Sequence, residues 1–174
     1  MRADDPDAAS RLVRALTASD GGAAVAVINT AAEWYREFLG TDEIHEPEMT
    51  LDQWLAEASR MTWYGAFEGD DLVAVMGLEY VSDVALFRHA YVLPHHQRQG
   101  VASLLHDHLE RQTHGVERII VGTYAANYKA RRALEKGGYR LSPDSEAVLG
   151  RYYHIPRDRL KSSVTYEKPL SVDR

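Results

Sequence analysis

Cysteine is absent from the 174 residues, so the chain can build no disulfide, no thiolate zinc site and no cysteine nucleophile. A basic excess is also missing. Twenty Lys and Arg stand against 26 Asp and Glu, a formal charge of −6, whereas a general nucleic-acid binder carries a basic footprint. The first ten residues hold Asp4, Asp5 and Asp7 and no apolar run, which fits neither a secretory signal nor a membrane anchor. The cytoplasm is therefore the expected compartment, with no membrane partner. There is no Gly-x-Ser-x-Gly elbow, no Walker loop and no dinucleotide fingerprint, which sets aside serine hydrolases, P-loop enzymes and Rossmann dehydrogenases. His95-His96 and the pair His106, His108 lack His-x-x-x-His spacing, so they read as surface residues and no metal site is expected. With no repeat or linker either, residues 11–174 are expected to form one domain after a loose tail over residues 1–10.

What is present is a change of periodicity. Leu12–Thr17 reads as a short strand, and Ser19 or Asp20 offers an N-cap for a helix running towards Phe38 with Val25, Ile28, Ala32, Tyr35 and Leu39 on its apolar face. A second helix is expected over Leu51–Ser59. Met61–Glu68, Asp71–Tyr80 and Val84–Leu93 are apolar runs joined by Gly69-Asp70 and Ser82-Asp83, the pattern of an antiparallel meander. The third run is apolar on both faces, as a central strand would be. An amphipathic helix over Gln99–Gln112, a strand over Arg118–Thr123, a helix over Tyr128–Lys136 and strands at Tyr139–Leu141 and Ser163–Glu167 follow. Pro143–Lys161 has no regular pattern. The whole predicts a mixed α/β fold, with a mostly antiparallel central sheet flanked by helices.

Between the third strand and the following helix lies Gln97-Arg98-Gln99-Gly100-Val101-Ala102-Ser103. A helix start presents unpaired backbone N–H groups and a partial positive charge, a combination that binds phosphate or pyrophosphate. Gly100 and the small Ala102 let a ligand approach the backbone closely.

This segment resembles the pyrophosphate-binding motif of the GNAT superfamily of N-acetyltransferases. Tyr91-Val92-Leu93-Pro94 resembles that family's fourth strand, which splays from the fifth so that pantetheine lies between them. Val121–Asn127, Ala130 and Glu135-Lys136-Gly137-Gly138-Tyr139 resemble its fifth strand, following helix and terminal glycine-aromatic signature. Arg14–Asp20 resembles its first strand and the start of its first helix. The resemblance implies acetyl-CoA as co-substrate, with Gln97, Arg98, Gln99, Gly100, Val101, Ala102 and Ser103 at the pyrophosphate and Val92 and Leu93 along pantetheine. It implies Asn127 against the pantetheine arm, a place where the residue also reads as a helix N-cap. It implies an acetyl group moved directly to a primary amine of a small molecule in a ternary complex. The family often forms dimers, so a homodimer is compatible with it.

Two positions depart from the family's pattern. The tyrosine that protonates the leaving thiolate in many relatives is Leu134 here, and the strand glutamate used as base by some falls at Gly122. Candidate replacements are His89 and Glu79 as base or water relay, since ionisable groups on central strands need a partner or a task. Tyr124 and Tyr128, flanking Asn127, are candidate acids. His89 also reads as a satisfied core or edge histidine. With both usual positions empty, a non-catalytic acyl-CoA sensor is the alternative reading, and a protein or peptide N-acetyltransferase a third.

From Glu33 to Glu57 there are eight acidic residues against Arg36 alone, and from Arg88 to Arg140 nine basic against four acidic. The basic stretch suits CoA phosphates. The acidic stretch resembles the family's substrate-capping helices and suits a cationic amine, with Trp34, Tyr35, Phe38 and Trp54 as stacking residues and Tyr153 in a substrate wall with Arg151, Tyr152 and His154. The ordinary reading, slightly preferred for the acidic stretch, is helices with solvated acids on one face and packed aromatics on the other.

Overall fold

The structure is a computed structural model that describes residues 11–171; the expected tail over residues 1–10 lies outside the described residues. Among the described residues there are seven strands: β1 (Arg11–Ala15), β2 (Thr62–Glu68), β3 (Asp71–Val81), β4 (Val84–Val92), β5 (Arg118–Tyr124), β6 (Arg140–Leu141) and β7 (Ser163–Pro169). They form one sheet in the order β1-β2-β3-β4-β5-β7-β6. The β1–β2, β2–β3, β5–β7 and β6–β7 ladders are antiparallel. Val84–Phe87 pairs in parallel with Arg118–Val121, so the sheet is mixed and mostly antiparallel. The meander predicted from the apolar runs is the β2-β3-β4 segment, and β3 is buried continuously from Leu72 to Leu78, as a strand covered on both faces must be.

The β4–β5 ladder ends at Phe87 and Val121, although β4 continues to Val92 and β5 to Tyr124. Two residues past the end of the ladder, His89 has φ +56°. A left-handed backbone at a non-glycine residue costs on the order of 1 kcal/mol or more, and such residues concentrate at functional sites.

The helices are α1 (Gly21–Ala31), α2 (Leu51–Ala58), α3 (Val101–Gln112), α4 (Tyr128–Lys136), α5 (Ser145–Tyr152) and the single turn α6 (Arg157–Leu160). A reciprocal capping box starts α2: Gln53 N–H donates to Thr50 Oγ1 at 3.2 Å, and Thr50 N–H to Gln53 Oε1 at 2.8 Å. The first helix is shorter than its periodicity predicts. It is α-helical only to Ala31, and Ala32–Glu37 winds as 3-10, a tighter coil that brings residues three apart into register. Tyr35 and Phe38 accordingly meet edge to face, 5.8 Å between centroids. The segment expected to be irregular holds α5. Asp144 Oδ1 accepts from Ala147 N–H at 3.1 Å and caps it, and Leu149 and Tyr152 are buried beneath it. Gly150, facing open space, weakened the helical signal there.

The described residues fall into two compact units. One takes in the chain up to Glu33 with His45–Leu78 and His89–Gln112; the other takes in Trp34–Ile44, Glu79–Arg88 and the chain from Thr113. In the first, Trp54 and Trp63 stack at 5.4 Å and 16°, 1% and 2% exposed, and a Cβ on Gly21 would stand 2.8 Å from Leu51 and 3.2 Å from Trp54. That glycine lets α1 lie close against α2. Trp54 is therefore a core residue, the ordinary reading of an aromatic on an acidic helix. In the second, Val84, Leu86, Ile120 and Tyr152 form the centre, with Val81, Val148 and Tyr153 packed against it.

The turn after β1 is fixed by charge. Arg14 donates from both terminal nitrogens to Asp20, at 2.9 and 3.0 Å, and Thr17 N–H donates to the same carboxylate at 2.8 Å. These bonds, Arg14 first, hold the Asp20 carboxyl at about 2 against an ordinary 3.8. A depressed carboxyl contributes stability above its unfolded value, and that contribution is lost as pH falls through the folded one. Asp20→Asn is expected to lower unfolding free energy near neutral pH by on the order of 1 kcal/mol, discounted because Arg14 is solvent-screened. In urea titrations the gap between variant and parent should close as pH drops from 3.8 towards about 2.

Candidate active site

In the first unit, β4 runs into a 3-10 turn (Pro94–His96), then into Gln97–Gly100 and α3. Pro94 stops the strand because it has no N–H for a ladder. Leu93 is fully engaged through its backbone: its N–H donates to Val73 C=O at 2.9 Å, and its C=O accepts from His96 N–H at 2.9 Å. Its part in any ligand site is therefore to set the direction of the turn. Val92 C=O accepts from Gln97 Nε2 at 3.3 Å on the exposed side, a contact that a ligand amide can displace.

The next turn alternates handedness. Arg98 has φ +62° and Gly100 φ +78°, and successive N–H groups in such an alternation converge into an anion-binding concavity. Leu104 N–H bonds back to Gly100 C=O at 3.0 Å, which leaves the N–H groups of Val101, Ala102 and Ser103 in the first turn of α3, where the helix itself offers them no carbonyl. A Cβ on Gly100 would meet nothing within 4 Å, so the surface above it is open. The residues present thus fit a pyrophosphate: backbone donors, a helix start and space above the glycine.

Upstream on β4, His89 Nε2 is buried and lies 3.9 Å from Glu57 Oε1 on α2. The other oxygen of Glu57 takes Arg60 at 2.9 Å. The imidazole rests against Trp63, 5.4 Å between centroids. Neither Glu57 nor Trp63 was singled out from the sequence as a neighbour of His89.

In the second unit, Asn127 caps α4, its Oδ1 accepting from Ala130 N–H at 3.3 Å. The N-cap role is therefore real, and it leaves the amide nitrogen of the side chain for a ligand carbonyl. Tyr128, the first residue of α4, is 68% exposed, whereas Tyr124 is 8% exposed. Tyr124 stands edge to face with Tyr35 at 5.0 Å and Phe38 at 6.1 Å, and Trp34 joins through Phe38 at 5.4 Å. One candidate acid and three candidate acceptor residues thus form a single aromatic cluster. Two cations lie on it: Lys129 Nζ is 4.0 Å above the Trp34 ring, and the Arg159 guanidinium is 5.9 Å from the Tyr124 centroid.

A second grouping in this unit involves Glu79, Arg88, Gly122 and Tyr153. Arg88 Nη1 donates to Glu79 Oε2 at 2.8 Å, with both side chains about one-tenth exposed. The acid is thus held as an ion-pair partner, which removes the urgency of a catalytic task for Glu79. Glu79 and Arg88 sit on adjacent strands either side of the Ser82-Asp83 turn. Where the family's base would project from β5, a Cβ on Gly122 would stand 3.4 Å from the Tyr153 hydroxyl. The Arg88 guanidinium lies 5.6 Å from the Tyr153 ring. Burial pushes the Tyr153 hydroxyl well above the ordinary phenol range; the positive charge of Arg88 and the Gly122 amide oppose this only in part. The amide approaches without completing a hydrogen bond. Tyr153 is thus a neutral donor and not a base. The usual acid position, Leu134, is buried.

Among the described residues no group of three His, Asp or Glu is placed to hold a metal ion, and no helix is long and apolar enough to cross a membrane. The sequence signature of the acetyltransferase (GNAT) family matches residues 22–139. No curated protein matches the sequence. Among solved structures, the chain is similar to the PaiA N-acetyltransferase of Thermoplasma acidophilum in complex with coenzyme A, at 16% identity and TM-score 0.76, over 92% of this chain and 99% of that one. It is similar to an acetyltransferase of Streptococcus agalactiae at 17% identity and TM-score 0.71, over 92% and 99% of the two chains. The ribosomal-protein-S18-alanine N-acetyltransferase of Escherichia coli follows at 18% identity and TM-score 0.67, over 92% and 94%. At such identities the likeness is one of fold.

Proposed function

Since the chain belongs to the acetyltransferase (GNAT) family, we propose that it moves an acetyl group from acetyl-CoA to a primary amine by direct attack in a ternary complex. The observation that carries this reading is the turn before α3, where Arg98 and Gly100 are left-handed and the helix start follows. The N–H groups of Val101, Ala102 and Ser103, with Gln97–Gly100, would hold the pyrophosphate. The main chain of Val92 and the amide nitrogen of Asn127 would hold pantetheine. Bound acetyl-CoA supplies a thioester whose acyl carbon takes the amine nitrogen while the CoA thiolate leaves.

The chain's own task is to manage protons. An alkyl ammonium must lose one before it can attack. His89 is the favoured base or water relay. Glu57 Oε1, 3.9 Å from Nε2, would stabilise the positive charge that the imidazole acquires on taking a proton. Glu79 is the lesser candidate because Arg88 holds it. Tyr124 is the favoured acid over the exposed Tyr128, since its cluster orients it. His89→Ala is expected to lower kcat about 100-fold, with CoA affinity by calorimetry within about threefold of the parent; an equal loss in both would remove His89 from the chemistry.

The acidic run Glu33–Glu57 supports a small cationic acceptor, and the carboxylate of Glu48, reached by Tyr91 Oη at 3.3 Å, belongs to it. Lys129 and Arg159 already lie on the aromatic rings, which supports instead an acceptor that brings a carbonyl or carboxylate, as a peptide does. Tyr153 behind Gly122 and buried Leu134 support a second reading, an acyl-CoA sensor without turnover. Thiol release from acetyl-CoA separates the readings: an enzyme releases CoA thiol with some amine, and a sensor binds acetyl-CoA and releases none.

A further inference from the structure

The pyrophosphate turn is held from a strand more than eighty residues away in sequence. Arg11, the first residue of β1, donates from Nη1 to Gln99 C=O at 2.7 Å and from Nη2 to Gln99 Oε1 at 3.2 Å. The same guanidinium turns its Nε to Glu68 Oε1 at 3.4 Å, and His96 Nδ1 lies 3.1 Å from the other Glu68 oxygen. Gln99 is fixed from its far side too, its Nε2 donating to His95 C=O at 3.0 Å. Gln99 is the residue between the two left-handed positions, Arg98 and Gly100. A turn of that shape is strained at Arg98, because a side chain in the left-handed region crowds the following carbonyl oxygen. It persists only where surrounding bonds over-determine it. The planar fork of arginine is suited to gripping a carbonyl and a side-chain oxygen together, and lysine, a single point charge, is not.

We propose that Arg11 is a positioning residue for CoA. By clamping Gln99 at its carbonyl and side-chain oxygens, it keeps the Gln97–Ser103 turn in the conformation that aims the N–H groups at the pyrophosphate. Glu68 serves by orienting the guanidinium. Arg11 acts through Gln99, and its charge alone is not enough. The proposal rests on the CoA reading for its ligand and stands apart from it for the clamp.

The test uses the full chain with Arg11→Ala and Arg11→Lys. Calorimetry with CoA should show both variants weakened about tenfold, the cost of losing one charge-assisted hydrogen-bonded pair. Amide hydrogen exchange without ligand should show faster exchange in the 97–104 peptide of both variants, with α1, α2 and β5 peptides unchanged. S-acetylpantetheine, which lacks the pyrophosphate, should compete equally well against parent and variants. Three results would overturn the proposal: a lysine variant that binds CoA like the parent, which would make Arg11 a plain charge; unchanged exchange in the 97–104 peptide; or faster exchange across the whole unit, which would make Arg11 a general fold residue. If the parent itself binds no CoA, the CoA reading fails, and the exchange result still decides the clamp.

Discussion

Gly100→Val is expected to weaken CoA binding about 100-fold while leaving the melting temperature within a few degrees of the parent. No side chain stands within 4 Å of where the new Cβ would go, so the cost is not a clash. It arises from φ +78°, a backbone conformation that a β-branched residue avoids at roughly 1–2 kcal/mol. The turn escapes that strain by rotating, and the N–H groups that lead into α3 then point elsewhere. Each charge-assisted hydrogen bond to phosphate is worth about 1.5–3 kcal/mol, so losing the aim of one or two accounts for the fall in affinity. Because the turn is exposed, its rearrangement uncovers little core, which is why stability barely moves. Gly100→Ala should lie between valine and the parent. Calorimetry with CoA and thermal unfolding on the same samples check both halves, and unchanged affinity in the valine variant would remove the turn from the pyrophosphate.

Trp54→Ala should have the largest effect on stability, a loss of about 3–5 kcal/mol in urea unfolding. The indole is 1% exposed, stacks on Trp63 and closes the contact with Gly21 at the start of α1. Trp63 Nε1 donates to the backbone carbonyl of Trp54 at 3.3 Å, a bond that survives the substitution, so the loss is one of packing. Tyr128→Ala, at a residue 68% exposed, should by contrast change stability by less than about 0.5 kcal/mol. If Trp54→Ala left stability unchanged and altered only acceptor KM, the residue would belong to the acceptor wall after all.

These contrasts mark where the sequence could be read and where it could not. Strand runs, turn signals and the helix after Pro94 announce themselves through periodicity and through residues with a fixed backbone meaning, and the meander and α3 lie where those signals put them. Trp54 was open to two readings because an acidic helix with aromatics looks alike whether the rings face solvent or core; only the stack with Trp63, nine residues on, decides it. The end of α1 was hidden because propensity does not separate α from 3-10 winding at Ala32–Glu37. At the site, the loop was legible from Gly100 and its place before a helix. What gives each candidate its chemistry was not, because it comes from distant partners: Arg11 for Gln99, Glu57 for His89, Tyr153 for the gap at Gly122. Arg88 for Glu79 belongs with these: the Ser82-Asp83 turn brings their two strands together, but only the side-chain bond identifies the partner.

The most direct test of acetyl transfer is CoA-thiol release from acetyl-CoA across a panel of polyamines, amino acids, aminoglycosides and short peptides, with CoA calorimetry on the same preparation. The account predicts micromolar-range CoA binding and thiol release with at least one primary amine, abolished when that amine is blocked. Absence of CoA binding, or thiol release that no amine accelerates, would contradict it.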